Sequence, residues 1–254
     1  MGNYIISEFK KALLRKSTRF YIIGIFLLCL VGNLAVVGFR MIYGTNEGTF
    51  AYNILEYATW CFVIPYYSCI FIADIVFGKT YPDPHIKDGY TSGLNRTQIY
   101  IGKVIASVMI AFVLALIACI LLIAITVLFH FSDGTIKAYN IRDFFEKMLY
   151  AVPLWIAGVG IGNMFLFIFE KKKFAYLCYF ILTIAIERGI MILAAEPLEL
   201  EPFRVLRKFT VSQNFSLIPY PADPSRNIPL TIALGVIYFL VSTVIGVVFY
   251  NKKK

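Results

Sequence analysis

Four ionisable side chains interrupt otherwise apolar runs of this chain: Glu56, Asp74, Glu187 and Arg188. A charge at the centre of a hydrocarbon layer costs about 3 kcal/mol on insertion scales, so such groups face a partner, a polar cavity or headgroups. Asp74 lies near the end of its run, one turn from Lys79, and its outlets are that lysine or headgroups. Glu187 and Arg188 lie deeper. Adjacent residues on a helix point about 100° apart and do not pair side by side. Glu56, at matching depth on another run, is the expected partner of Arg188. Two roles fit these intramembrane polar residues: a structural ion pair locking two helices, or groups on a substrate path.

Other chemistry is hard to assemble from this sequence. Ala73–Thr80 matches the tail of a phosphate-binding loop, G-x-x-x-x-G-K-[ST], with Ala73 in place of the first glycine. That motif needs a helix starting after the lysine, so that its free amides meet phosphate. Here an apolar run ends at Lys79 and Tyr81-Pro82 follows. Hydrolase and zinc-protease motifs are absent, and the two histidines, His85 and His130, are far apart. All five cysteines (Cys29, Cys61, Cys69, Cys119, Cys178) fall within apolar runs without a CxxC pair, which supports neither a disulfide framework nor a zinc site. No catalytic residue and no metal ligand is expected in this chain.

The elements that carry these residues follow from composition. Of the 254 residues 59% are hydrophobic and 15% charged, where soluble domains run about 45–50% and about 25%. Six apolar stretches, 20–39, 54–77, 99–129, 148–169, 174–195 and 228–250, are long enough to cross ~30 Å of hydrocarbon as helices. None alternates with period two, which excludes a lipid-facing barrel. The expected fold is an all-α integral membrane protein of six transmembrane helices, one domain spanning residues 1–254. Small residues mark close helix contacts at Gly158-x-x-x-Gly162, at Ser242-x-x-x-Gly246 and along Ser107, Ala111 and Ala115.

Basic residues set the expected orientation. With both termini in the cytoplasm, the inner segments hold fifteen of the 24 Lys and Arg residues and the outer segments eight. The net charge of +9 is then explained by anionic inner-leaflet lipids and calls for no nucleic acid. Residues 3–17 precede the first span with Ile5, Ile6, Phe9 and Leu13 at helical spacing among Glu8 and four basic residues. That pattern predicts an interfacial amphipathic helix, with a bend near Ser17–Thr18.

Between spans two and three, Asp83-Pro84 opens a short helix by offering a cap and a proline at its first turn. The helix runs His85–Tyr90 and ends near Gly93. Asn95-Arg-Thr-Gln98 then carries a second capping signature. The outer loop 196–227 holds five prolines, with Phe203, Leu206 and Val211 placed to dock on the membrane face. His130 closes the third run as an interfacial residue.

This order of features resembles the permease subunits of type-2 ATP-binding-cassette exporters, over the whole chain. The most specific stretch is Asp83–Lys103, ending Gly93-Leu-Asn-Arg-Thr-Gln-Ile-Tyr-Ile-Gly-Lys103, with Asn95-Arg96 where Ser-Arg is more usual. The resemblance implies that Asp83, Pro84, His85, Ile86, Lys87, Asp88, Gly89 and Tyr90 couple the chain to a separate ATPase subunit. It also implies a second permease, identical or paralogous. ATP and Mg belong to the partner ATPase, and this chain binds no cofactor and hydrolyses nothing. Size places it near the smaller permeases that confer self-immunity to lantibiotics or resistance to antimicrobial peptides. The rival reading is an ion-coupled secondary transporter using Glu56, Glu187 and Arg188. It calls for inverted repeats and discontinuous helices at mid-membrane, for which the sequence gives no sign.

Overall fold

The computed structural model describes residues 1–44, 50–77, 93–130, 136–196 and 198–252. Among these every regular element is helical. α1 is Gly2–Leu14, α2 Lys16–Tyr43, α3 Ala51–Trp60, α4 Val63–Phe77, α5 Arg96–His130 and α6 Ala138–Ile168. α7 (Lys172–Phe180) continues through a π-helical stretch, Ile181–Ile186, into α8 (Glu187–Leu193). Two short helices, α9 (Glu201–Arg207) and α10 (Val211–Leu217), precede α11 (Ile228–Lys252). Five of the described helical stretches are long and apolar enough to cross a membrane, or six with α3 and α4 taken as one bent span.

α1 and α2 are joined by one extended residue, Arg15, at φ −67° and ψ 145°. The break falls ahead of the expected bend at Ser17–Thr18. Thr18 helps close the joint: its hydroxyl donates to the Ala12 carbonyl at the end of α1, which also accepts from the Arg15 N–H at 3.2 Å.

The second span bends by 61° between α3 and α4. Pro65 is the cause. It has no N–H for the carbonyl four residues back, Cys61, and its ring displaces that carbonyl. Ile64 N–H donates to the Cys61 carbonyl instead, at 2.9 Å, and Trp155 Nε1 donates to the neighbouring Phe62 carbonyl at 2.8 Å.

α5 starts where the capping signature put it. Gln98 N–H donates to Asn95 Oδ1 at 2.8 Å, and Asn95 N–H to Gln98 Oε1 at 3.0 Å. α6 begins at Ala138 and runs unbroken through the fourth apolar run, so Ile141, Phe144 and Phe145 of the outer segment are its first turns.

α6 is the hub, packed between α4 and α11, and glycines set its distance from both. A Cβ on Gly158 would meet the Tyr66 ring at 2.8 Å, and one on Gly162 the Ile70 Cα at 3.1 Å. On the other side a Cβ on Gly160 would lie 2.7 Å from Ser242 Oγ, and one on Gly235 2.5 Å from the Pro153 backbone. Gly246 admits the Tyr100 hydroxyl, 2.0 Å from where its Cβ would stand. The small-residue ridges at 158–162 and 242–246 are thus true close contacts.

The outer segment divides. α10 is buried in the bundle through Val211 and Phe215, whereas Leu206 of α9 is exposed on the protein's surface. His130, expected at an interface, is buried at the end of α5.

Candidate functional site

The loop between α4 and α5 carries the coupling residues Asp83, Pro84, His85, Ile86, Lys87, Asp88, Gly89 and Tyr90, and these lie outside the described residues. Its two flanks are described, and each is held by a buried or half-buried ion pair. The last described turn of α4 presents the Ile75 and Val76 carbonyls. Two cations meet them: the Arg15 guanidinium donates to the Ile75 carbonyl, and Lys103 Nζ lies 3.5 Å from the Val76 carbonyl. Positive charge at a helix C-terminus is also favoured by the helix dipole.

Lys103 has a stronger partner. Its ammonium is 3.0 Å from Glu8 Oε2, and both side chains are fully buried. Lys11 stands 3.6 Å from the other Glu8 oxygen. The pair binds α1 to the start of α5, helped by Gly102, where a Cβ would collide with the Tyr4 ring. On the far side of α4, Asp74 accepts from Lys172 Nζ and, at 2.8 Å, from the Tyr176 hydroxyl. The partner found for Asp74 is an α7 lysine; Lys79 lies outside the described residues. Between the clamps sits Phe77, with the Lys103 and Lys172 ammoniums 5.7 and 6.0 Å from its ring centre and Phe167 edge-on at 4.9 Å.

A second network lies toward the other end of the bundle. Glu187 accepts from the Tyr66 hydroxyl at 3.1 Å, from the Ser212 amide at 2.8 Å and from the Ser212 hydroxyl. The Tyr179 hydroxyl donates to the Tyr66 carbonyl at 2.6 Å, and Tyr67 and Ser212 hydroxyls meet at 3.2 Å. The wide π turn between Tyr179 and Glu187 re-aims the helix so that both reach Tyr66. Three donors on one carboxylate, drawn from α4 and α10, make this a joint between three elements.

The expected pair of Glu56 and Arg188 is not formed. Both are exposed, and no ion pair joins them. Of Glu56, Glu187 and Arg188 only Glu187 enters a built site, as Asp74 does at the other end of the bundle. The sequence neighbour of Glu187 points outward, as the 100° step between adjacent helix positions requires. The tyrosines of the second span serve both roles open to them: Tyr66 and Tyr67 pack and bond, and Tyr57 lines a cavity. Asn214, in a sequon pattern, is buried with its amide bonded to Thr210 and Thr231, which leaves no accessible acceptor for a sugar.

Glu8, Lys103, Lys172 and Ser212 were not expected as site residues. Two of them carried a signal. Lys103 lies inside the run 99–129, and the criterion that singled out Glu187 applies to it equally. Glu8 stands one turn from Ile5 and Ala12, on the apolar side of its own helix. Lys172 and Ser212 carried none, since a loop lysine and a loop serine are ordinary. Among the described residues no cluster of three His, Cys, Asp or Glu side chains could hold a metal ion. The chain matches no protein-family model and no curated protein.

Proposed function

We propose that this chain is the transmembrane subunit of an ATP-driven exporter, in a cell membrane with both termini cytoplasmic. It moves an amphipathic substrate, an antimicrobial peptide or a lipid-like molecule, out of the cell or the membrane. A separate ATP-binding-cassette subunit supplies the hydrolysis, and a second permease, identical or paralogous, completes the path. The supporting observation is the double clamp on the flanks of residues 78–92. A partner that closes on nucleotide moves a membrane bundle only through an element rigidly attached to several helices. The Glu8–Lys103 and Asp74–Lys172 pairs tie the base of this loop to α1, α5 and α7 at once.

On this reading His85, Ile86 and Tyr90 form an apolar and aromatic knob for a groove in the ATPase, with Lys87 and Asp88 orienting it at the rim. Asp83-Pro84 and Gly89 delimit it. The test is affinity purification from the native host at native expression. An ATPase subunit is expected with the wild-type chain and lost from the Ile86→Asp/Tyr90→Asp double variant, whose expression stays near normal. Recovery of no ATPase with the wild type, or equal recovery with the variant, overturns the assignment. The ion-coupled alternative is favoured by one observation, the buried Glu187 carboxylate. It predicts transport that survives without nucleotide and stops in Glu187→Gln.

A further inference from the structure

Two intramembrane charges, Glu56 of α3 and Arg188 of α8, are exposed. Neither side chain has a hydrogen-bond or ion-pair partner among the described residues. Both lie in stretches apolar enough to cross a membrane, where a charge ordinarily faces a partner or water. Their depths match. The Asp74–Lys172 pair puts the end of α4 beside the start of α7, so the start of α3 and the end of α8 lie at the opposite end of the bundle. Glu56 is five residues from the first residue of α3, and Arg188 five from the last of α8. Each distance is about 8 Å of helix.

α10 keeps the two apart within one chain. Ser212 bonds Tyr67 on one side and Glu187 on the other, and Trp60 stacks on Tyr220 just beyond the end of α10. Otherwise the second span and α7–α8 are neighbours: Tyr66 is bonded to Glu187, and the Phe71 ring lies 6.0 Å from that of Phe180. One side of the molecule thus carries an acid and a base at one depth, divided by a short helix.

The helix around Arg188 is also shaped for contact. Ile184, Arg188 and Ile192 form an exposed row one turn apart, and beside it Ala185-x-x-x-Gly189 is a ridge of small residues. Such ridges let membrane helices approach closely. A Cβ on Gly189 would meet nothing within 4 Å, whereas Gly158, Gly162 and Gly246 are each met by another helix of the same chain.

We propose that this side binds a second copy of the chain through two identical ion pairs, Glu56 of each copy meeting Arg188 of the other. A two-fold axis presents the same patch on both copies, so a contact between acid and base is made twice. The charges select the occupant, because a face with one of each sign is complementary to itself. A lipid phosphate answers Arg188 alone, whose long stem reaches the interface, and leaves the shorter Glu56 without a cation. In the exporter reading this copy is the second permease, identical rather than paralogous; the inference rests on that reading only for the role of the dimer.

Complementation separates a pair between copies from two independent charges. The full chain is purified, labelled at its C-terminus with a donor or an acceptor dye, and reconstituted without ATPase into phosphatidylcholine vesicles. Association is read by energy transfer over a range of protein-to-lipid ratios, and the wild type is expected to dimerise. Glu56→Gln or Arg188→Gln alone removes both pairs and should weaken association about tenfold, the worth of two polar contacts between membrane helices. Donor-labelled Glu56→Gln mixed with acceptor-labelled Arg188→Gln keeps one pair in each mixed dimer and should regain about threefold. Gly189→Leu, which meets nothing in its own chain, should leave the melting temperature unchanged and abolish energy transfer. In detergent micelles holding one chain the two charges stay independent, so melts of the Gln variants there report folding alone. The proposal fails if the wild-type chain stays monomeric, if either Gln variant associates like the wild type, or if the mixture transfers no more energy than each variant by itself. A monomeric wild type leaves the exporter reading standing with a paralogous second permease, and recovery of no ATPase from the native host leaves this dimer standing.

Discussion

Two regions of the bundle use small residues to opposite ends. Where α6 meets α4 and α11, and where α11 meets α5, each glycine faces something large or rigid: Tyr66 at Gly158, Tyr100 at Gly246, the Pro153 backbone at Gly235. The notch is filled. Along α2, nothing comes within 4 Å of where the Cβ atoms of Gly24 and Gly32 would be. A small residue therefore signals close packing only when its counterpart is large enough to occupy the space.

The largest test of this contrast is Gly235→Ala. Its new methyl would sit 2.5 Å from main-chain atoms of Pro153, which cannot swing aside. Overpacking of a core typically costs about 1–3 kcal/mol, and more where the obstacle is backbone. Thermal melting in detergent should show loss of most folded protein. Removal of Lys103 comes next. Lys103→Met strands the buried Glu8 carboxylate and should cost about 3–5 kcal/mol, and Glu8→Met with Lys103→Met should recover most of it. A loss in the double variant equal to the sum of the two single losses would mean the pair carries no coupling. Ser212→Ala removes one of three donors from Glu187 and should cost about 1–3 kcal/mol by the same melt. Glu56→Gln and Arg188→Gln should add to within about 0.5 kcal/mol, as separated sites do. Gly32→Ala closes the series with the opposite sign to Gly235→Ala, a gain of about 0.5–1 kcal/mol from reduced backbone freedom in open space. A loss there would mean that α2 closes onto its neighbour.

What sequence could convey here is local. The cap at Asn95–Gln98, the kink from Pro65 and the ridges at 158–162 and 242–246 depend on spacings of three to eight residues, and all are found. Glu8 and Lys103 are 95 positions apart, and Asp74 and Lys172 are 98. No periodicity connects them. Asp74 has Lys79 one turn away in sequence, yet its bond goes to a lysine brought near by α6 and α7.

The bond between Glu8 and Lys103 also fixes a parity. Two bonded side chains occupy the same side of any membrane the chain crosses, so the number of crossings between them is even. In sequence they are separated by α2 and by the bent pair α3–α4. If α2 crosses once, the bent pair must cross once too, and a hairpin that dips in and returns would leave the two charges on opposite sides. Asp74 and Lys172 impose the same count on α5 and α6, so two ion pairs decide an arithmetic that hydropathy leaves open.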